Sequence, residues 1–177
     1  MELDKALALK ALKSLDKKLS NAGSSMITLA VGGGGAMILQ FGYSGSTVDI
    51  DAVPIGTEFD SLKKYLDEVA KELEITPDWL NPYYQAFTVY LPQSATSRMN
   101  TLYFGESLTV KTLGAEDILI MKLMAGRSKD MGHIRHLLKM KVDLSIVETR
   151  LDELISLYPK FANKALDLLD DLLEENE

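Results

Sequence analysis

Val31-Gly32-Gly33-Gly34-Gly35-Ala36, and after it Val48-Asp49-Ile50-Asp51-Ala52-Val53, are the stretches that decide how this chain is read. Glycine loses more backbone freedom on folding than any other residue, so four in a row mark a place where the backbone must pass close to something. Met26 to Val31, just upstream, is a short β-rich apolar run and predicts a buried strand. Ala36 to Phe41, just downstream, predicts a short helix whose N-terminus sits on the glycine loop. Val48 to Val53 predicts a second strand, closed by Pro54 to Thr57. Side chains alternate along a strand, so Val48, Ile50 and Ala52 are expected on one face, and Asp49, Asp51 and Val53 on the other.

Two ionised aspartates on one strand face repel, and a cation relieves the repulsion. Magnesium suits the position, because it is held by one or two carboxylates while substrate phosphates complete its shell. Free N–H groups at a glycine-preceded helix start supply the complementary phosphate seat. Two other phosphate motifs fail here. A P-loop needs Lys-Ser/Thr after its last glycine, where this chain has Ala36-Met37. The dinucleotide fingerprint needs Gly or Ala where Met37 or Ile38 stands, depending on register.

Working outward, residues 4 to 19 place Leu7, Ala11, Leu12, Leu15 and Leu19 at helical spacing, and Asn21 to Ser24 end that helix. Phe59, Leu62, Leu66, Val69 and Leu73 predict another, with Thr57 as its N-cap. Ile75 to Pro82 is a proline-bounded irregular segment with Trp79 as a packing anchor. Strands are expected at Ala86 to Leu91, Leu102 to Phe104 and Leu108 to Leu113, the last two joined as a hairpin by Gly105-Glu106-Ser107. From Gly114 the pattern is helical: Ala115 to Ala125, Ser128 to Met140, Leu144 to Tyr158 and Lys160 to Glu175. Strands early and helices late predict an α+β fold with a helical C-terminal layer. A single domain over residues 1 to 177 is expected, with its α/β core at about 20 to 114.

The 177 residues are 46% hydrophobic and 25% charged, which is enough for a real core. No cysteine is present, which excludes disulfides, thiolate metal sites and a Cys nucleophile. There is no signal-peptide core at Met1 to Lys5 and no apolar run of membrane-spanning length, so a cytoplasmic protein with no membrane partner is expected. A net charge of −7 argues against nucleic-acid binding by the whole surface. Lys122, Arg127, Lys129, Arg135, Lys139 and Lys141 nevertheless concentrate positive charge against Asp130 alone, whereas Asp167 to Glu177 is purely acidic. Within the apolar stretch Ile118 to Ala125, Lys122 must either reach solvent or meet an anion. Asp130 suits the start of the next helix. His133 and His136, three apart, have no acidic pair beside them and carry little weight as metal ligands.

Gly33-Gly34-Gly35 followed by Asp49-Ile50-Asp51 resembles the nucleotidyltransferase superfamily with its DNA polymerase beta-like fold, which implies that the sheet is mixed and flanked by helices. Thr47, the Asp78-Trp79-Leu80-Asn81 segment, Lys122 and Lys129-Asp130 bring it closest to the small bacterial AbiEii-like, DUF6036-type branch, over about residues 26 to 138. The resemblance implies transfer of an NMP group from an NTP to an acceptor hydroxyl on protein, RNA or a small molecule. It implies catalytic Asp49, Asp51, Lys122 and Asp130, nucleotide contacts from Gly33, Gly34, Gly35 and Thr47, and Mg2+ (or Mn2+) on Asp49 and Asp51. It leaves room for an inactive nucleotide-binding module, and for a toxin with an antitoxin-like partner. Three features depart: Tyr43 to Ser46 holds no arginine where relatives commonly have one, His133 stands where relatives often carry another Asp, and the acid nearest to the third carboxylate of classical superfamily members is Glu106, in a turn.

Overall fold

The computed structural model describes residues 2–175, so Met1 and the last acid, Glu177, lie outside the described residues. The architecture is α+β, with a five-stranded mixed open sheet and a large helical share. The chain forms two compact units. The first comprises residues 1–85 and 99–113, the second 86–98 and 114–177.

The first unit holds the sheet. Its strands are β1 (Ile27–Val31), β2 (Ile50–Ile55), β3 (Leu80–Asn81), β4 (Asn100–Phe104) and β5 (Leu108–Thr112), in the order β3-β2-β1-β5-β4. β1 runs antiparallel to β2 and parallel to β5, β2 is parallel to β3, and β4–β5 is the expected antiparallel hairpin. Register sorts the side chains by face. Leu29, Val31, Ile50, Ala52, Leu108 and Val110 are buried, while Asp51 and Val53 on the alternate positions are only half-buried. Among the described residues its α-helices are α1 (Lys5–Asn21), α2 (Gly33–Leu39) and α3 (Lys63–Leu73). The expected stripe of α1 is borne out, with Ala11, Leu12, Leu15 and Leu19 all buried and Asp4 capping the first turn through Leu7 N–H at 2.8 Å. Trp79 is fully buried and donates to the Leu66 carbonyl at 3.2 Å, an anchor as expected.

The structure departs from the expected pattern at three places around β2 and α3. The second strand begins at Ile50, not Val48, because Thr47 is tied by two backbone hydrogen bonds to Leu3. The chain bends after it and leaves Val48 64% exposed, off the apolar face. The strand also continues through Pro54 to Ile55; β3 pairs only at Ile50 and Asp51, so β2 is an edge at Pro54, where a missing N–H is tolerated. Thr57 is not the N-cap: a 3-10 turn, Phe59–Leu62, precedes α3, and Ser61 bonds the Glu58 carbonyl instead.

The second unit is helical: α4 (Ala115–Ala125), α5 (Met131–Lys139), α6 (Leu144–Ile155) and α7 (Pro159–Glu174). α4 is buried from Asp117 to Met124 and packs against α5, α6 and α7, which explains its near-uniform apolarity. The expected strand at Ala86 to Leu91 is absent. Tyr83–Tyr90 is 3-10 helix. Arg150 donates to the Tyr90 and Leu91 carbonyls at 2.8 and 3.2 Å, and the Tyr90 ring meets Tyr158 edge-on at 5.1 Å. Side-chain capping and ring packing thus replace a sheet partner.

Candidate active site

β1 ends at Val31, and the chain turns directly into α2. The helix starts inside the glycine run, at Gly33, earlier than the apolar pattern alone suggests. Each of three glycines has its own steric reason. Gly33 has φ 57°, and a Cβ there would collide with the Asp51 carboxylate. A Cβ on Gly35 would press on Ile50 Cγ2 at 3.1 Å, and one on Gly32 would meet the Tyr84 ring at 3.2 Å. The close approach foreseen from four glycines is therefore made first to the aspartate strand itself. A backbone hydrogen bond from Gly32 N–H to the Asp51 carbonyl, 3.0 Å, completes the seam. A carboxylate beside a helix start is also favoured by the helix dipole.

The two aspartates are brought to one side by a residue the periodicity did not flag. Asn81 on β3 is paired with Asp51 on β2, so their side chains share a sheet face. The Asn81 amide reaches across to donate to Asp49 Oδ2 at 2.9 Å, which places the Asp49 carboxylate on that face too. Asn81 is buried and fixed in turn, its Oδ1 accepting from Tyr83 N–H at 3.0 Å. Thr47 acts on the backbone: its hydroxyl donates to the Asp49 carbonyl at 3.0 Å, holding the turn that precedes β2. Tyr84 closes the other flank, donating to the Ala30 carbonyl at 2.8 Å. Burial, and secondarily the charge on Asp51, push its phenol well above the usual range, so it stays protonated. Tyr84 had no signal in the sequence beyond lying downstream of Pro82. Asn81 was part of the resemblance through its Asp-Trp-Leu-Asn context.

Glu106 does not join this group. β1 and β5 run parallel, with Ile27 beside Leu108, so the turn holding Glu106 lies at the end of the sheet away from the glycine loop, about 15 Å along the strands. There it accepts from Ser20 Oγ at 2.6 Å. Buried Asp16 of α1 accepts from Ser107 N–H, Glu106 N–H and the Tyr103 hydroxyl, at 2.8, 3.2 and 2.7 Å. Burial raises the Asp16 pKa, but these donors outweigh it and leave the carboxyl below its ordinary value.

Lys122 and Asp130 form a cluster of their own in the second unit. Lys122 is 4% exposed, and its ammonium donates to Asp130 Oδ1 at 2.6 Å. It also lies 3.0 Å from His133 Nδ1, closer than the 3.7 Å between that nitrogen and Asp130. Arg127 Nε donates to Asp130 Oδ2 at 2.7 Å while its guanidinium lies 5.4 Å from the centre of the Phe87 ring. Burial of Asp130 works against ionisation, but hydrogen bonding from this shell and the Lys122 charge prevail and hold the carboxyl far below its usual range. Of the two fates open to Lys122, it takes the buried anion rather than solvent. The basic stretch is also less available than its composition suggests, since Lys122 and Arg127 pair with Asp130, and Arg135 with Glu175 at 2.9 Å.

The donor set of Asp49, just before β2, and Asp51, within it, fits a hard divalent cation. Two carboxylates, one held by a neutral amide, leave most of the shell for phosphate oxygens and water, as magnesium requires. Among the described residues no group of three or more His, Cys, Asp and Glu side chains is arranged around a metal position. No helix among the described residues is long and apolar enough to cross a membrane.

A family model described as nucleotidyltransferase of unknown function (DUF6036) matches residues 9–170. The chain belongs to this family. The match spans both units, including the glycine loop, Asp49 and Asp51, and the Lys122 cluster. No curated protein and no solved structure matches the chain significantly.

Proposed function

We propose that the protein transfers a nucleoside monophosphate from an NTP to a hydroxyl acceptor, with Asp49 and Asp51 as the ligands of Mg2+ or Mn2+. The observation that carries this is the seam in the first unit, where Asp51 lies against Gly33 while Asn81 holds Asp49 on the same face. Bound there, the cation would neutralise the triphosphate and polarise the phosphoryl group. The backbone of Gly33, Gly34 and Gly35 seats the phosphates at the start of α2, and Thr47 fixes the turn that presents Asp49. The acceptor oxygen forms a bond to the α-phosphorus, the bond from that phosphorus to the pyrophosphate oxygen breaks, and the hydroxyl proton is released to solvent. Fixed charges and dipoles that need no reorganisation supply most of the rate enhancement in such a site.

Lys122 and Asp130 enter as a positioned ion pair of the second unit. With two cations already on it, Asp130 is a poor proton acceptor, so its part is to hold Lys122. The test is covalent transfer of α-labelled nucleotide, screened over four NTPs with cell extract as the acceptor source. Wild-type protein with Mg2+ is expected to label an acceptor, and Asp49→Asn to lose the label. Absence of transfer from all four NTPs, or equal transfer by Asp49→Asn, overturns the proposal.

A further inference from the structure

The carboxylate pair has two flanks, and the fold treats them differently. β1 runs antiparallel to β2, so its C-terminal end, with the glycine loop, lies beside the start of β2 where Asp49 and Asp51 stand. β3 borders the same end of β2 on the opposite edge, through Ile50–Leu80 and Asp51–Asn81. In phosphoryl transfer the attacking and leaving oxygens lie roughly in line across phosphorus. If the glycine loop seats the departing pyrophosphate, the attacking hydroxyl arrives from the β3 side.

That side is hollow. A cavity of about 400 Å³ opens next to β3, within the size range of small-molecule sites. Asn81, the residue that holds Asp49, forms part of its wall, so cavity and carboxylate pair share a side chain. Tyr83, two-thirds exposed, offers a ring that can cover an apolar or sugar face. The charged lining is Asp60, Asp67, Asp78 and Lys63, and Lys63 is matched by Asp60 at 3.0 Å. The balance is negative. A polyanion would be repelled there, and an amine would be drawn in.

We propose that this cavity is the acceptor subsite, and that the acceptor is a small hydroxyl-bearing molecule with one or more protonated amines. The inference rests on the nucleotidyltransferase reading for the fate of the hydroxyl, but not for binding. The acceptor oxygen takes the nucleoside monophosphate, pyrophosphate leaves with the bonding electron pair, and one proton goes to solvent.

Three probes of similar size and different charge test it on the full chain: a glucosamine disaccharide with two free amines, its fully N-acetylated form, and an RNA dinucleotide. Binding is measured by calorimetry without NTP, and labelling is measured with α-labelled NTP and Mg2+. The diamine is expected to bind at least about tenfold more tightly than the neutral form, a preference of roughly 1.4 kcal/mol. The dinucleotide is expected not to compete. Asp67→Asn with Asp78→Asn should erase the charge preference while leaving NTP affinity intact, and Tyr83→Ala should weaken both sugars. Equal binding of all three probes, preference for the dinucleotide, or a loss of NTP affinity in the double variant overturns the subsite. Charge-selective binding of the diamine with no labelling in any combination leaves the cavity standing and contradicts the transfer chemistry, so the two failures are distinguishable.

Discussion

Asp49 and Asp130 are both carboxylates held by designed partners, yet the partners differ in kind. Asp49 in the first unit receives the neutral amide of Asn81, which orients it without cancelling its charge. Asp130 in the second unit receives Lys122 and Arg127, and its charge is spent inside the protein. A buried ion pair contributes little net stability when intact but is costly to break. A carboxylate held by a neutral donor keeps its negative charge for an incoming cation. Chemistry is thus expected to depend on the Asp49–Asp51 pair, and folding on the Lys122 cluster.

Breaking Asp130 should give the largest effect on stability. Asp130→Asn leaves Lys122 buried beside a neutral amide and is expected to cost about 3–5 kcal/mol in denaturant unfolding. The pH response follows from the same residue. Its folded-state pKa is depressed, so its contribution is complete above the ordinary Asp value near 4 and is lost as pH falls below it. Acid unfolding curves should therefore show wild type losing stability below about pH 4. Asp130→Asn should show a shallower loss, and a variant with the same slope as wild type would remove the cluster from the account.

Asp51→Asn should reverse the pattern. Transfer is expected to fall by about 10²–10³-fold, the scale of losing a charge-stabilising group, with the unfolding midpoint nearly unchanged. Asn81→Ala should be milder, lowering the metal-dependent NTP affinity by about 10–100-fold, as for other groups that orient a metal ligand. A transfer rate that survives Asn81→Ala intact would mean that Asp49 needs no orienting partner. Glu106→Gln should have the smallest effect, within about twofold in transfer, since a substitution of this kind at an exposed turn is worth only ~0.5 kcal/mol. A loss comparable to Asp51→Asn would make Glu106 a third catalytic carboxylate despite its place at the far end of the sheet.

How much of this could be read in the sequence depends on whether the signal is local. Alternation in Ile50 to Val53 and the glycine run are local, and they located the strand face and the seam. α4 was legible from end to end, because Gly114 and Gly126 bracket it and Ile118 to Ala125 is apolar except for Lys122. The strand expected at Ala86 to Leu91 was not, because its Tyr90 ring packs on Tyr158 and its Tyr90 and Leu91 carbonyls are taken by Arg150, some sixty residues away in sequence. Val48 failed for a similar reason, since the Leu3–Thr47 pairing that bends the chain joins distant segments. The sequence marked Lys122 and Asp130 individually, and the contact between them answers the question of where a lysine in an apolar helix goes. Asn81 gave no periodic signal at all. Its role exists only once β3 lies beside β2.

The most direct test of the central claim is calorimetric titration of a non-hydrolysable NTP analogue, with and without Mg2+, into wild type and the Asp49→Asn, Asp51→Asn double variant. Wild type should bind the analogue much more tightly with Mg2+ than without it. The double variant should lose that metal-dependent gain while keeping its unfolding midpoint. Equal Mg2+-dependent binding in both proteins would contradict the assignment of the metal-nucleotide site to Asp49 and Asp51.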